Sequence, residues 1–176
     1  VRELRAAGVA ISPIPGPCAA IAALSVAGIA SDRFSFEGFL PAKSNARRER
    51  LQKLALETRT LVFYESSHRI EECLADMQVA FGAEREAVLA RELTKLFETV
   101  LDGTLANIFE KVSVDANQRK GEFVLVIAGA PEDQNAELLE GKRLYAKLVE
   151  YMKPSQAAKV AADLSGAPRK ALYGGE

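Results

Sequence analysis

From Phe34 onward the chain alternates strand-length apolar runs with stretches of helical period, and this alternation constrains the fold more than any other feature. The strand-like runs lie at 34–40, 60–65, 87–94, 98–104 and 122–128. Between them, Ile70, Cys73, Leu74, Met77 and Phe81 recur at helical spacing, as do Leu105, Ile108, Phe109 and Val112, so each stripe faces a core. A chain of this pattern folds as an α/β domain with helices layered on a sheet. The run at 98–104 follows its predecessor after a link too short for a parallel crossover, so the sheet is mixed. A more charged helix is expected at 46–56, with Leu51 and Leu54 inward and its arginines outward.

The flanks read differently. Leu4 and the alanines after it finish a helix that Gly8 can cap, and 9–14 reads as a short buried strand, the tail of an α/β unit. The prolines between Pro13 and Pro17 make a turn, and an Ala-rich helix follows from Cys18 to Ala27, ended by Gly28. The chain starts at Val1 rather than Met, inside an amphipathic helix, which reads as a piece of a longer polypeptide. After Gly129 the polar string PEDQNAELLEG reads as a linker, and three short helices beyond it outline a helix-turn-helix. The expected division is therefore an N-terminal remnant over 1–33, an α/β domain over 34–130, a linker over 131–141 and a helical tail over 142–176.

Composition excludes several classes. At 176 residues and 48% hydrophobic, the chain can bury a core, and it carries neither a membrane-length apolar run nor a signal peptide, which suggests the cytoplasm. Cys18 and Cys73 have no metal-spaced partners and read as buried thiols, so no metal site is expected. The net charge of −1 opposes a protein that coats polyanions wholesale, although Arg47, Arg48 and Arg50 form one basic cluster and Arg119 and Lys120 another.

Two strings concentrate polar chemistry at strand ends. FYESSHR, Phe63 to Arg69, closes one apolar run where the chain turns into the next helix, and ligands collect at the carboxyl ends of strands in α/β sheets. Glu65, Ser66, His68 and Arg69 form a candidate cluster there, with a serine helix cap and a Glu65–Arg69 ion pair as the structural alternative. ARELTK, Ala90 to Lys95, places Arg91, Glu92, Thr94 and Lys95 at a second strand end. Two such ends in one sheet point to a polar cleft. His68 is the single histidine, so neither a histidine-based triad around another base nor a multi-histidine metal centre can be assembled, and no phosphate-binding glycine loop is present.

The strings PIPGPCAAIAALSVAGI, SDRFSFEGFLPAKSNARRERL, RTLVFYESSHRI, ARELTKLFET and RKGEFVLVIAG together resemble the ribosomal RNA small subunit methyltransferase I family, which has the tetrapyrrole-methylase fold. The resemblance implies S-adenosylmethionine-dependent methylation of a cytidine ribose 2′-hydroxyl in 16S ribosomal RNA of the small subunit, by a homodimer, with the cofactor between two α/β domains. It implies that Cys18, Ala19 and Ala20 lie against the cofactor from the small-residue helix, and that Phe63, Tyr64, Arg91, Leu93 and Phe123 form the opposite wall. Glu65 or Glu92 would serve as base or orient the ribose, while Ser66, His68, Arg69, Thr94 and Lys95 would meet the RNA, with Arg47 and Arg48 as a further grip. The family's N-terminal cofactor-binding segment lies upstream of Val1, so this stretch alone is expected to bind cofactor poorly and to be inactive. A methylase of the same fold with a small-molecule or protein substrate, or a non-enzymatic nucleic-acid module, are the alternatives.

Overall fold

The computed structural model describes residues 1–131 and 134–173, and the chain divides into two compact units, Val1–Ala130 and Pro131–Glu176. In the first unit, α1 (Arg2–Ala6) leads into irregular chain and then α2 (Ala19–Ala27), which Gly28 closes with a left-handed φ of 68°. The strand expected at 9–14 does not form, and Ile14 is 93% exposed. Pro13, Pro15 and Pro17 withhold three ladder donors, and no strand of the sheet pairs with this segment.

The sheet has five strands: β1 (Phe34–Phe39), β2 (Thr60–Ser66), β3 (Glu86–Arg91), β4 (Thr99–Thr104) and β5 (Glu122–Ile127). Their order is β1-β2-β5-β3-β4, with β1 parallel to β2 and every other pairing antiparallel, so the sheet is mixed as its short hairpin link requires. Between β1 and β2 runs α3 (Ser44–Leu54), between β2 and β3 runs α4 (Ile70–Phe81), and α5 (Leu105–Val114) follows β4. Thr104 caps α5 reciprocally with Asn107, which fixes where strand gives way to helix. Because β5 enters last, between β2 and β3, its amino end meets their carboxyl ends at one edge of the sheet.

Alternation along the strands sorts the core into two layers. Leu61, Phe63, Leu89, Leu125 and Ile127 face α4 and α5, packing on Ile70, Leu74, Met77, Leu105 and Ile108. Val62, Val88, Ala90, Val124 and Val126 face the other way, against Ala20, Ala23, Leu24 and Ala27 of α2. On α3 the outward arginines of the sequence reading hold for Arg48 and Arg50, which are exposed, and need correction at Arg47. Arg47 is 2% exposed and donates from Nε to Asp76 at 2.6 Å and from Nη2 to Glu72 at 3.2 Å, while Arg48 donates to the other Asp76 oxygen at 2.7 Å. Burial pushes the Asp76 carboxyl up, but the hydrogen bonds from Arg48 and Arg47 outweigh it and hold it below its ordinary range. Arg47 from the core and Arg48 from the surface both join α3 to α4 through Asp76 instead of forming a free basic face.

The second unit packs α6 (Gln134–Leu148), α7 (Pro154–Ser165) and α8 (Arg169–Tyr173) around Ala161, Ala167 and Leu172. The linker expected over 131–141 is helical from Gln134. Gly141 explains the close packing: a Cβ there would lie 2.8 Å from the Ala167 Cβ and 2.9 Å from a Leu172 methyl. No helix among the described residues is long and apolar enough to cross a membrane.

Candidate active site

A cavity of about 470 Å³ opens where the carboxyl ends of β1 and β2 meet the amino end of β5 and the start of α2. Ala19, Tyr64, Glu65, Ser66, Leu93, Lys95 and Phe123, all among the candidates named from the sequence, line it together with Phe39, Ser67, Gly121, Glu122 and Val124. Of these five, Ser67 lies within the FYESSHR string and Phe39 ends β1, while the topology of β5 brings Gly121, Glu122 and Val124 to the same place.

Tyr64 organises the apolar wall. It points to the α2 side, where its hydroxyl accepts from the Ala20 N–H at 3.1 Å, and its ring packs edge-on against Phe36 at 4.9 Å and Phe39 at 5.7 Å. Phe36 and Phe39 would sit on opposite faces of a regular strand. A register shift between Phe36 and Gly38, where Gly38 has a φ of 67°, re-phases β1 so that both rings reach Tyr64. Adjacent Phe63 must then point to the opposite layer, fully buried against α4, which corrects its expected place on the cofactor wall.

At the start of α2, Ala20 is buried and commits its N–H to Tyr64, so Ala19 alone of the small-residue trio lines the cavity. Cys18 is exposed rather than buried. The nearby Ile21 backbone N–H lowers the Cys18 thiol below its ordinary range against desolvation, with the Ala20 N–H and the Tyr64 hydroxyl acting in the same lowering direction.

Glu65, Phe123 and Arg91 stand opposite one another across β2, β5 and β3 and so share the α4 side of the sheet. The Glu65 side chain is wholly buried; its oxygens accept from the Ser66 N–H at 2.8 Å and from Arg69 at 2.9 Å, and Arg69 also donates to the Leu40 carbonyl. The ion pair expected as the structural alternative thus forms, and Arg69 stitches β1 to the β2–α4 turn outside the cavity lining. Burial, and then the Glu65 charge, pushes the Cys73 thiol far up. Arg91 is buried and donates to the Lys120 carbonyl at 3.1 Å, and it does not line the cavity. His68 is exposed on the turn after β2, also outside the lining.

The β3–β4 turn is built around Glu92. Glu92 and Thr94 both have left-handed φ, 51° and 64°, which costs a residue other than glycine about 1–3 kcal/mol and persists only where surroundings enforce it. Here they do. The Glu92 N–H donates to the Glu122 carbonyl at 3.0 Å, its Oε1 accepts from the Glu122 N–H at 2.9 Å and from Lys95 Nζ at 2.7 Å, and Thr94 N–H donates to Glu98. Gly121 leaves room for this: a Cβ would fall 2.5 Å from the Glu92 carboxyl carbon. The Lys95 hydrogen bond, followed by that from Glu122 N–H, lowers the Glu92 carboxyl. Glu92 therefore latches the turn to β5 from outside the cavity lining, whereas Lys95 and Leu93 reach the cavity.

Comparisons with known proteins agree with this architecture. The family model for Tetrapyrrole (Corrin/Porphyrin) Methylases matches residues 1–108, and that for the RsmI C-terminal HTH domain matches residues 135–174. A curated relative from Xylella fastidiosa, named ribosomal RNA small subunit methyltransferase I, is 62% identical over 99% of this chain and 64% of its own length. Proteins of the same name from Pseudomonas aeruginosa and Haemophilus influenzae are 49% and 48% identical, each over 98% of this chain and 62% of their own lengths. The chain thus spans between three fifths and two thirds of the length of these relatives. Among solved structures, a cobalt precorrin-4 methyltransferase of cobalamin biosynthesis shares the fold, with a TM-score of 0.52 at 17% identity over 72% of this chain and 55% of that one. On its sequence matches and on its mixed sheet, the chain belongs to the tetrapyrrole (corrin/porphyrin) methylase family, alongside the proteins named ribosomal RNA small subunit methyltransferase I.

Proposed function

We propose that this chain is part of an S-adenosylmethionine-dependent methyltransferase acting on the ribose 2′-hydroxyl of a cytidine in 16S ribosomal RNA, working in the cytoplasm on the small subunit as a homodimer. The observation that carries the reading is the cavity itself, set at the strand ends where ligands bind in such sheets, in a chain whose relatives bear that name. The lining fits the cofactor. Tyr64, Phe39 and Leu93 offer apolar surface to a nucleoside, Ala19 lets a ligand approach the α2 backbone, and the Lys95–Glu122 ion pair, 2.8 Å between its charged atoms, is the polar group nearest an amino-acid end.

When bound, the cofactor supplies an electrophilic methyl group. This chain contributes chiefly position, the main source of acceleration for such a transfer. Ser66 and Ser67 bring hydroxyls to the cavity, and Glu65 orients the turn that carries them through its bond to the Ser66 N–H. Of the two candidate residues, Glu65 lines the cavity with its carboxylate buried on Ser66 and Arg69, and Glu92 is the latch beside it.

The test is methylation of purified small subunits by the intact gene product with labelled S-adenosylmethionine, the product nucleotide being mapped by mass spectrometry. A 2′-O-methylated cytidine is the expected product. Label in a small molecule or protein, with none in the ribosomal RNA, would overturn the reading.

A further inference from the structure

The β3–β4 turn presents Leu96 and Phe97 to solvent, 89% and 67% exposed, directly after the Lys95 that lines the cavity. A turn that merely linked two strands would not need two large apolar side chains at its tip. Nor is this tip loose. The Lys95 N–H donates to the Glu92 carbonyl at 3.0 Å, the Glu98 N–H to the Lys95 carbonyl at 3.1 Å, and the Thr99 hydroxyl to the Phe97 carbonyl at 3.2 Å. Two left-handed residues and the Glu92 latch onto β5 hold the turn in place, so the aromatic ring is presented on a fixed base.

The same latch brings cations to this end of the sheet. Arg91 holds the Lys120 carbonyl, next to the Gly121 over which Glu92 packs, and the Lys120 ammonium is exposed and makes no ion pair among the described residues. An exposed ring at the end of the sheet that also carries the Lys120 ammonium, held by the Asn117 side-chain oxygen at 3.1 Å but in no ion pair among the described residues, matches unpaired RNA, whose bases stack on aromatic faces while its phosphates meet cations. A protein partner fits less well: two side chains of this size offer at most about half of the roughly 800 Å² per partner that a stable interface buries.

We infer that Phe97, supported by Leu96, is a stacking platform for an unpaired base of the substrate RNA next to the nucleotide that enters the cavity. Phe97 is a positioning residue and takes no part in the transfer. The inference rests on the RNA-methylating reading above and assigns that substrate its contact.

The experiment compares the intact gene product with its Phe97→Ala and Phe97→Trp variants, measuring kcat and KM for labelled methyl transfer to small subunits. Loss of one base–aromatic stack should raise KM roughly tenfold in Phe97→Ala with kcat nearly unchanged. Phe97→Trp should restore it, and the KM for S-adenosylmethionine should not move. A wild-type KM in Phe97→Ala overturns the inference, as does an equal loss in both variants. A change of sedimentation coefficient in Phe97→Ala would assign the tip to a second copy and overturn it too. If the wild-type protein itself transfers no methyl group to ribosomal RNA, the parent reading fails, and this inference falls with it.

Discussion

The two faces of the sheet are built to different specifications. One buries Leu, Ile, Met and Phe under α4 and α5, with the α3–α4 ion-paired seam beside it. The other has Val and Ala on the strands, and among the described residues of this unit it is covered by the small-residue helix α2. Large interdigitating side chains fill space and expel water; small ones let a helix sit close but leave a gap wherever it ends. The cavity lies at the start of α2, where that thin layer stops. Stability is thus concentrated on one face and access to ligand on the other.

The sharpest way to break this contrast is to cut equal volumes from both faces. Leu74→Ala, in the fully buried α4 layer, should cost about 4 kcal/mol, and Leu24→Ala on α2 about 2 kcal/mol, because the α2 site is shallower and relaxes more easily. Urea unfolding of the two variants measures both, and equal losses would remove the distinction.

Arg47→Met tests whether the seam belongs to the stable side. It should cost about 3 kcal/mol, the low end for breaking a buried pair, since Arg48 still neutralises Asp76. Because the folded Asp76 carboxyl lies below its ordinary value, its contribution is complete above about pH 4 and disappears as pH falls through the depressed folded value. Asp76→Asn should therefore be less stable near neutrality and flatten the acid limb of a stability–pH curve. An acid limb unchanged from wild type would show that the pair is not what that limb reports.

The smallest perturbation uses the two thiols as reporters, one on each side. Cys18, exposed and lowered by the Ile21 N–H, should react with iodoacetamide at a lower pH than a free thiol, and Tyr64→Phe should shift that profile slightly upward. Cys73, raised by burial, should stay unreactive until the chain unfolds. Mass spectrometry of the alkylated native protein reads both. Comparable labelling of the two thiols would mean that the α4 layer opens as readily as the α2 side.

Much of the architecture was legible beforehand because it depends on periodicity. The stripe from Ile70 to Phe81 belongs to an α-helix and the apolar run from Leu61 to Tyr64, bounded by polar turns, to a buried strand, and the short link before β4 dictated an antiparallel pair. The strand ends FYES and ARELTK also contribute Tyr64, Glu65, Ser66, Leu93 and Lys95 to the lining of one cavity. What failed was direction. Phe63 and Tyr64 look equally suited to a cofactor wall, yet the pleat sends one into the core. Arg47 and Arg48 look like one surface patch, yet only Arg48 is exposed, and its guanidinium is bound to Asp76. Glu92 looks like a base at a strand end, yet a left-handed turn folds it back onto Gly121.

By itself, then, the sequence determined the helices and strands of the α/β domain and the mixed character of its sheet, because hydrophobic period and link length act locally along the chain. Which polar group reaches the cavity was decided only in three dimensions. The insertion of β5 between β2 and β3, the bulge at Gly38 and the latch of Glu92 onto Glu122 are contacts between residues far apart in sequence, and a side chain's partners there depend on which strand arrives beside it.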